Sequence, residues 1–249
     1  MNPILEQLNT RRSVRNFTGE SVKEQDLQLI LKAAQQAPTS INAQQVSLVI
    51  TRNKENIQKI AEIAGGQPQV ASADVFITIV IDYHRTAVAT ELAGKEQVIH
   101  RSAEGIVVGA GDAGIMLNAL QTAANSLGYG STAIGGIRNN PQQMIDLLGL
   151  PEKTYPIVGI TLGVADDSQS AQIKPRVPLE SFAMYEKYDQ AAVDRGVEQY
   201  DQQLREWWDA QQLNNMRSYA EETAAFYHNV YFPEVAKTMQ QQGFQFGDE

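Results

Sequence analysis

No cysteine occurs among the 249 residues, which excludes disulfides, thiolate metal sites and cysteine nucleophiles, and fits a reducing compartment. Histidine is almost as scarce. His84, His100 and His228 stand far apart, without the paired spacing of an imidazole metal site, so no metal is expected. Cations are in the minority, 20 Lys and Arg against 29 Asp and Glu, and a net charge of −9 argues against a nucleic-acid partner. The first residues lack the apolar core of a signal peptide. No stretch approaches the roughly 20 apolar residues of a membrane helix. The nearest candidate, Gly105 to Leu127, carries Asp112, Asn118, Gln121 and Asn125. A soluble, cytoplasmic protein without a membrane partner is the expectation.

Familiar catalytic signatures are missing too. There is no G-x-S-x-G nucleophile elbow and no G-x-x-x-x-G-K-[ST] phosphate loop. Gly109-Ala110-Gly111-Asp112-Ala113-Gly114 has the spacing of a dinucleotide fingerprint, but it falls inside a predicted helix rather than at its start. No side chain stands out as a catalytic acid, base or nucleophile.

What the chain does have is TRRSVRNFTGE, Thr10 to Glu20, with Arg11, Arg12 and Arg15 inside five residues of an acidic protein. Guanidiniums this close repel unless an anion lies among them, and their planar forks match phosphate oxygens. Ser13 adds a hydroxyl. A solvated basic corner, or pairing with Asp and Glu, accounts for the same residues.

Taken in order, Asn2-Pro3 starts a helix that should pack Ile4, Leu5 and Leu8. Ser21 and Glu24 have capping-box spacing before Leu27, Ile30, Leu31 and Ala34, an amphipathic helix ended by Pro38. A polar turn, Thr39 to Gln44, leads to a strand over Val46 to Thr51. Asn53 caps a helix with Ile57, Ile60, Ala61 and Ala64 inward, stopped by Gly65-Gly66. Val75 to Ile81 is apolar on both faces, hence a central strand covered twice. Val98 to Leu127 reads as a buried central helix whose Gly109, Gly111 and Gly114, each costing about 1 kcal/mol against Ala, permit close approach. Asp112 within it reads as a satisfied structural carboxylate. A glycine-rich strand and turn, Tyr129 to Ile137, precedes a helix opened by Asn140-Pro141 and closed by Gly149; Ile157 to Val164 is the third strand. The pattern predicts an α+β domain rather than βαβ alternation. After a polar connection, Val193, Val197, Tyr200, Leu204 and Trp207 form a helical stripe. It could dock on its own domain or wrap a second subunit. A last helix runs from Pro233 to Gly243.

These motifs together resemble the FMN-dependent nitroreductase family, in its branch of NADPH-linked nitroreductases and flavin reductases. The resemblance is carried by RRSVRNFTGE, the PTSINAQ turn, GGQPQ, SLGYGSTAIGGIRNNP and LGVADD…KPRVP, in that order. It implies a nitroreductase-like α+β fold, with a mixed, mainly antiparallel central sheet flanked by helices and an intertwined homodimer. It also implies one domain over 1–249: a core over 1–165, then a connection and C-terminal helices over 166–249 that embrace the partner and cover the donor and acceptor site. Arg11, Arg12, Ser13 and Arg15, with Lys174 and Arg176, would hold the FMN phosphate and ribityl chain. Ser40 and Asn42 would approach from the partner subunit, Gln67 would bond the ring edge, and Ile134, Gly135 and Gly136 would set backbone against the ring. The chemistry would then lie on FMN. NADPH or NADH would donate hydride in a ping-pong relay to nitroaromatics, quinones or free flavin. A dedicated flavin reductase and a non-catalytic flavin-binding protein are the alternatives. Arg11, Gln69 and Ala133 depart from the family pattern. Beyond Trp207-Trp208, where relatives carry arginines for the NADPH phosphate, only Arg217 remains.

Overall fold

The computed structural model describes residues 2–169 and 172–247. In chain order its helices and strands are α1 (Pro3–Asn9), α2 (Glu24–Gln35), β1 (Val46–Thr51), α3 (Lys54–Ile63), α4 (Pro68–Ala71), β2 (Val75–Asp82), α5 (Tyr83–Leu92), α6 (Ala103–Ser126), β3 (Tyr129–Ile134), α7 (Pro141–Leu148), β4 (Thr154–Val164), α8 (Leu179–Phe182), α9 (Gln190–Asp209), α10 (Tyr219–Tyr227) and α11 (Glu234–Gln241). They divide into two units: Met1–Ala171 with Phe232–Glu249, and Gln172–Tyr231. Helix α11 thus returns to the first unit.

The first unit is built on a four-stranded sheet of order β1-β2-β4-β3. The mainly antiparallel character expected of it holds, and every described pairing is antiparallel, with no parallel pair among the described residues. Strand β2 lies between β1 and β4 and is buried on both faces, as its unbroken apolar run requires. Ile77 and Ile79 pack with Leu27, Ile30 and Ala34 of α2 and Met116 and Leu120 of α6. Phe76 faces the other way, among Ile57 and Ile60 of α3, Met144 of α7 and Ile137. A third cluster joins Ile81, Tyr83 and Tyr155 to Met239 and Phe244 of the returning C-terminal segment.

Several caps fall where expected. Asn2, Asn53 and Asn140 each accept a backbone N–H of the helix they precede, and Gly149 closes α7 in the left-handed region at φ 62°. The Ser21–Glu24 capping box does not form. Helix α2 begins only at Glu24, because the Val22 N–H is drawn 2.9 Å to the Asp74 carboxylate, itself paired with Arg52 and Lys54. A capping box closes instead at Ser218 and Glu221, ahead of α10.

Three helix faces differ from expectation. Ile4, Leu5 and Leu8 of α1 are exposed rather than packed. Helix α6 starts at Ala103, after a turn of 3₁₀ helix over Ile99–Arg101, and is buried on one face only. Gly109 meets Ile81, but Gly111 and Gly114 have open space beside them, and Val107 is 65% exposed. Helix α6 does have the length and hydropathy of a membrane span, contrary to the reading of Gly105 to Leu127. Its contacts with β2 and its buried Asp112 mark it instead as a helix of the folded core. In α9 the buried line is Ala192, Gly196, Tyr200, Leu204 and Trp208: Tyr200 and Leu204 fall on the expected stripe, whereas Ala192, Gly196 and Trp208 stand in place of Val193, Val197 and Trp207. Gly196 sets this register, because Ser181 lies where a Cβ would stand.

Candidate active site

The arginine segment is held along β3 and the end of β4 by backbone bonds and two plugs. Val14 N–H donates to Ser131 O at 3.0 Å, and Thr132 Oγ1 donates to Val14 O at 2.6 Å. Thr18 N–H donates to Val164 O at 3.0 Å. Val14 and Phe17 fill the spaces over Gly130 and Gly163, where a Cβ would come within 2.6 and 2.7 Å of them. Only glycines let the segment lie this close. Arg11 and Arg12 then line a cavity of about 220 Å³ with Gln121, Asn125, Ser131 and Asp167. Arg12 is paired with Asp167 at 2.9 Å. Ser13 is half-buried and Arg15 exposed, and neither lines that cavity. The bland expectation of Arg–Asp pairing therefore holds for Arg12.

Gln67 and Gly136 come together although 69 positions separate them in the chain. Gln67 Nε2 donates to Ala64 O at 3.0 Å, and its Oε1 accepts from Gln69 Nε2 at 2.6 Å. A Cβ on Gly136 would stand 2.5 Å from Gln67 Nε2 and 2.7 Å from Ala64 O. The bare Gly136 backbone is therefore required for the amide to lie where it does. Ile134 ends β3 and is buried, and Gly135 follows it beside the Arg138 guanidinium. Ser131, bonded to Val14, lies on β3, and Gly136 opens a 3₁₀ turn two residues beyond the end of that strand. An elongated ligand could contact both the arginine segment and the Gln67–Gly136 floor.

Ser40 and Asn42 lie in a strained turn. Ile41, Asn42 and Gln44 have φ of 50°, 57° and 56°, and a β-branched residue at such a φ is unusual. The turn is held by Asp112 of α6, whose Oδ2 accepts from Ser40 N–H at 3.0 Å and from Gln45 Nε2. Thr39 Oγ1 accepts from Gln44 N–H at 3.1 Å. Asp112 is the structural carboxylate expected, and Ile41 at the tip is 94% exposed. Beside the turn lies an apolar cavity of about 460 Å³, lined by Ser40, Ile41, Gln45, Tyr83, Gln97 and Val98 among others.

Lys174 and Arg176 belong to the second unit. Lys174 Nζ lies 4.6 Å from the Trp208 ring centroid, a cation–π contact. Arg176 donates to the Lys174 and Pro175 carbonyls, and Tyr200 Oη donates to Pro175 O at 3.1 Å. The buried line of α9 thus supports the Lys-Pro-Arg turn. Arg217 is exposed and paired with Glu222 at 3.3 Å.

Sequence reasoning found most of the polar elements but not Ala64 O, and it noted Gln69 only as a departure. The short helix α4, capped by Gln67, carries no periodicity that could have signalled the pairing of these two amides.

Residues 8–164 match the family model described as the Nitroreductase family, and residues 174–247 match its C-terminal domain. The FMN reductase [NAD(P)H] of Bacillus subtilis (strain 168) is 37% identical over 248 residues, 98% of this chain and 99% of that protein. The solved structure of NfrA2 from B. megaterium superposes with a TM-score of 0.95 at 34% identity, covering both chains in full. The NADPH:FMN oxidoreductase of Vibrio harveyi, solved with NAD+, gives 0.86 at 30% identity, covering 97% of this chain and 98% of that one.

Proposed function

This chain belongs to the nitroreductase family, and we infer from that membership and from its site that it is an FMN-dependent NAD(P)H oxidoreductase. The observation that carries the activity is the end-to-end likeness to an FMN reductase [NAD(P)H]. Arg11 and Arg12, lining one cavity with Ser131, support this reading. Arg11, Arg12 and Arg15 with the Ser13 hydroxyl suit a phosphate dianion, and a neutral amide on a glycine floor suits a planar heterocycle. When bound, FMN accepts hydride from a reduced nicotinamide and passes it to an electron-poor acceptor.

The protein's part is to bind, orient and shield. Arg11, Arg15 and Ser13 would grip the phosphate and ribityl chain. Arg12 reaches the same anion only by sharing its charge with Asp167. Lys174 and Arg176, on the turn backed by Trp208 and Tyr200, would complete the phosphate grip. Ile134, Gly135 and Gly136 would bring backbone to the ring, with the Gln67 amide at its edge. No side chain need transfer a proton, so no acid–base group is assigned. The acceptor is a nitroaromatic, a quinone or a free flavin, reduced in a ping-pong cycle.

A second copy of the chain completes the site in this reading. Val107 and Ile115 on the open face of α6, beside Gly111 and Gly114, form an exposed apolar helix surface among the described residues. Ile4, Leu5 and Leu8 add a second exposed apolar stretch. A homodimer covering these faces would let the Ser40–Asn42 turn, propped outward by Asp112, reach a cofactor held by the other subunit. In this reading the protein works in the cytoplasm, without a membrane partner.

Titration of apoprotein with FMN tests the cofactor directly. Saturable quenching of flavin fluorescence at one FMN per chain is expected, and absence of uptake would remove the central claim. Arg15→Ala should weaken binding by about 1.5–3 kcal/mol, roughly ten- to a hundredfold, through loss of a charge-assisted hydrogen bond.

A further inference from the structure

We propose that the apolar cavity beside the Ser40–Asn42 turn is a binding site for a small neutral or cationic molecule, with an apolar body and a hydrogen-bond-donating group, and that it rejects anions. The inference stands on the walls of this cavity and does not depend on the flavin reading.

At about 460 Å³ the cavity has the size of a small-molecule site. Ile41, Val98, Ile99 and Val108 supply its apolar surface, from the strained turn, the 3₁₀ segment with its cap, and α6. Ile41 is 94% exposed and Val98 55%, so apolar surface there is open to water. An apolar ligand would gain by covering it.

The polar part of the wall can accept more hydrogen bonds than it can give. Gln45 is buried, and its Nε2 donates to Asp112 Oδ2. A carboxylate only accepts, so Asp112 fixes the nitrogen end and keeps the amide from turning. Gln45 Oε1 is then a buried acceptor without a partner, an uncommon state in a folded protein. Gln97 is held by a carbonyl in the same way. Its Nε2 donates to Tyr83 O at 2.9 Å and lies 3.4 Å from His100 Nδ1. Its Oε1 accepts from Thr86 Oγ1, which leaves one acceptor direction. Thr90 Oγ1 is spent on Thr86 O at 2.7 Å, and Tyr83 Oη on Gly105 O at 2.5 Å. Among the described side chains of the wall, the Ser40 hydroxyl and the second Gln45 N–H are what remains to donate.

Charge acts in the same direction. Glu96 and Glu104 line the cavity, and among the described residues no Lys, Arg or His does. An anion would have to enter beside carboxylates, over apolar surface that screens them poorly. The cavity at Arg11 and Arg12 has the opposite character and suits a phosphate. Two cavities of one unit thus sort ligands by charge.

Equilibrium dialysis of the purified full-length protein at neutral pH tests this with 2-naphthol, its methyl ether and 2-naphthoate. The three share one apolar body and carry a donor, no donor and a negative charge. Saturable binding of 2-naphthol at one per chain is expected, with the ether about tenfold weaker and naphthoate weaker still. Val98→Trp and Thr90→Trp add bulk to the cavity from different elements. Each should weaken 2-naphthol binding about tenfold or more, with the far-UV circular dichroism unchanged. Replacing both carboxylates, Glu96→Gln with Glu104→Gln, should raise naphthoate affinity and leave 2-naphthol binding as it was. Absence of 2-naphthol binding, or naphthoate binding as tightly as 2-naphthol, would overturn the inference. So would full binding in both tryptophan variants, the result for a ligand stacked on the flavin instead. FMN uptake is measured separately, so the cofactor assignment stands or falls apart from these outcomes.

Discussion

At the scale of single residues, close packing and buried charge decide more than the nature of the reactive groups. Gly136→Ala would drive a methyl into Gln67 Nε2 and Ala64 O, both under 3.0 Å from its Cβ position. One of these is backbone and cannot retreat, so a destabilisation of about 1–3 kcal/mol is expected by urea unfolding, with FMN affinity falling in parallel. His100 gives a pH signature. Burial, then the nearby Lys153 and Arg101 charges, depress its pKa, with Glu96 opposing; Gln97 lies against its Nδ1. An unfolded imidazole titrates near about 6.5. Below that pH the unfolded chain binds a proton that the folded chain does not, so stability falls as pH drops from about 6.5 until the folded histidine itself protonates. Thermal unfolding between pH 7.5 and 5.5 should show this slope, and His100→Gln should flatten it. Asp74 acts in a separate, more acidic window. Burial raises its pKa, but the Val22 N–H and the Lys54 and Arg52 charges outweigh burial and hold it below the usual value. Its contribution is present above that value and is lost only as pH falls through the carboxylate range.

At the scale of elements, local chemistry was legible and long-range competition was not. The bounds of β1, the double burial of β2 and the Asn caps of α1, α3 and α7 could be read from composition and spacing, because each rests on neighbours in the chain. The Ser21–Glu24 capping box failed because Asp74, 52 residues away, takes the Val22 N–H. Helices α5 and α10 lack a clear apolar stripe and left no periodic signal. On α9 Tyr200 and Leu204 could be read from the spacing, whereas the burial of Gly196 in place of Val197 could not, since its contact with Ser181 is tertiary information. The site divides the same way. The arginine cluster and the Thr39–Gln44 turn announce themselves by composition, whereas the Gln67–Gln69–Gly136 contact exists only once β3 is in place. The α9 support of the Lys174 turn yields its own test. Trp208→Leu removes the cation–π partner while keeping an apolar side chain, and should weaken FMN retention several-fold, as Lys174→Ala does more strongly. Unchanged retention in both would detach this turn from the phosphate site.

At the scale of the whole molecule, helix α6 has an exposed apolar face at Val107 and Ile115. Ile115→Glu places a charge on that face with little cost to the isolated fold, Ile115 being 43% exposed. Sedimentation should show a shift from dimer to monomer, with FMN lost as the Ser40 turn is withdrawn; a monomeric wild type that still holds FMN would separate assembly from cofactor binding. Donor choice is a second whole-molecule property, since Gln211 to Arg217 lies in the unit apart from the sheet and Arg217 is already paired with Glu222. Gln211→Arg should raise the ratio of kcat/KM for NADPH over NADH; an unmoved ratio would place the donor phosphate elsewhere. The central claim, that this chain passes electrons from a reduced nicotinamide through bound FMN, is tested most directly by mixing FMN-loaded protein anaerobically with NADPH or NADH in a stopped-flow spectrometer. The flavin absorbance should bleach with at least one donor and return when a nitroaromatic, a quinone or free FMN is added. A flavin that stays oxidised with both donors would contradict it.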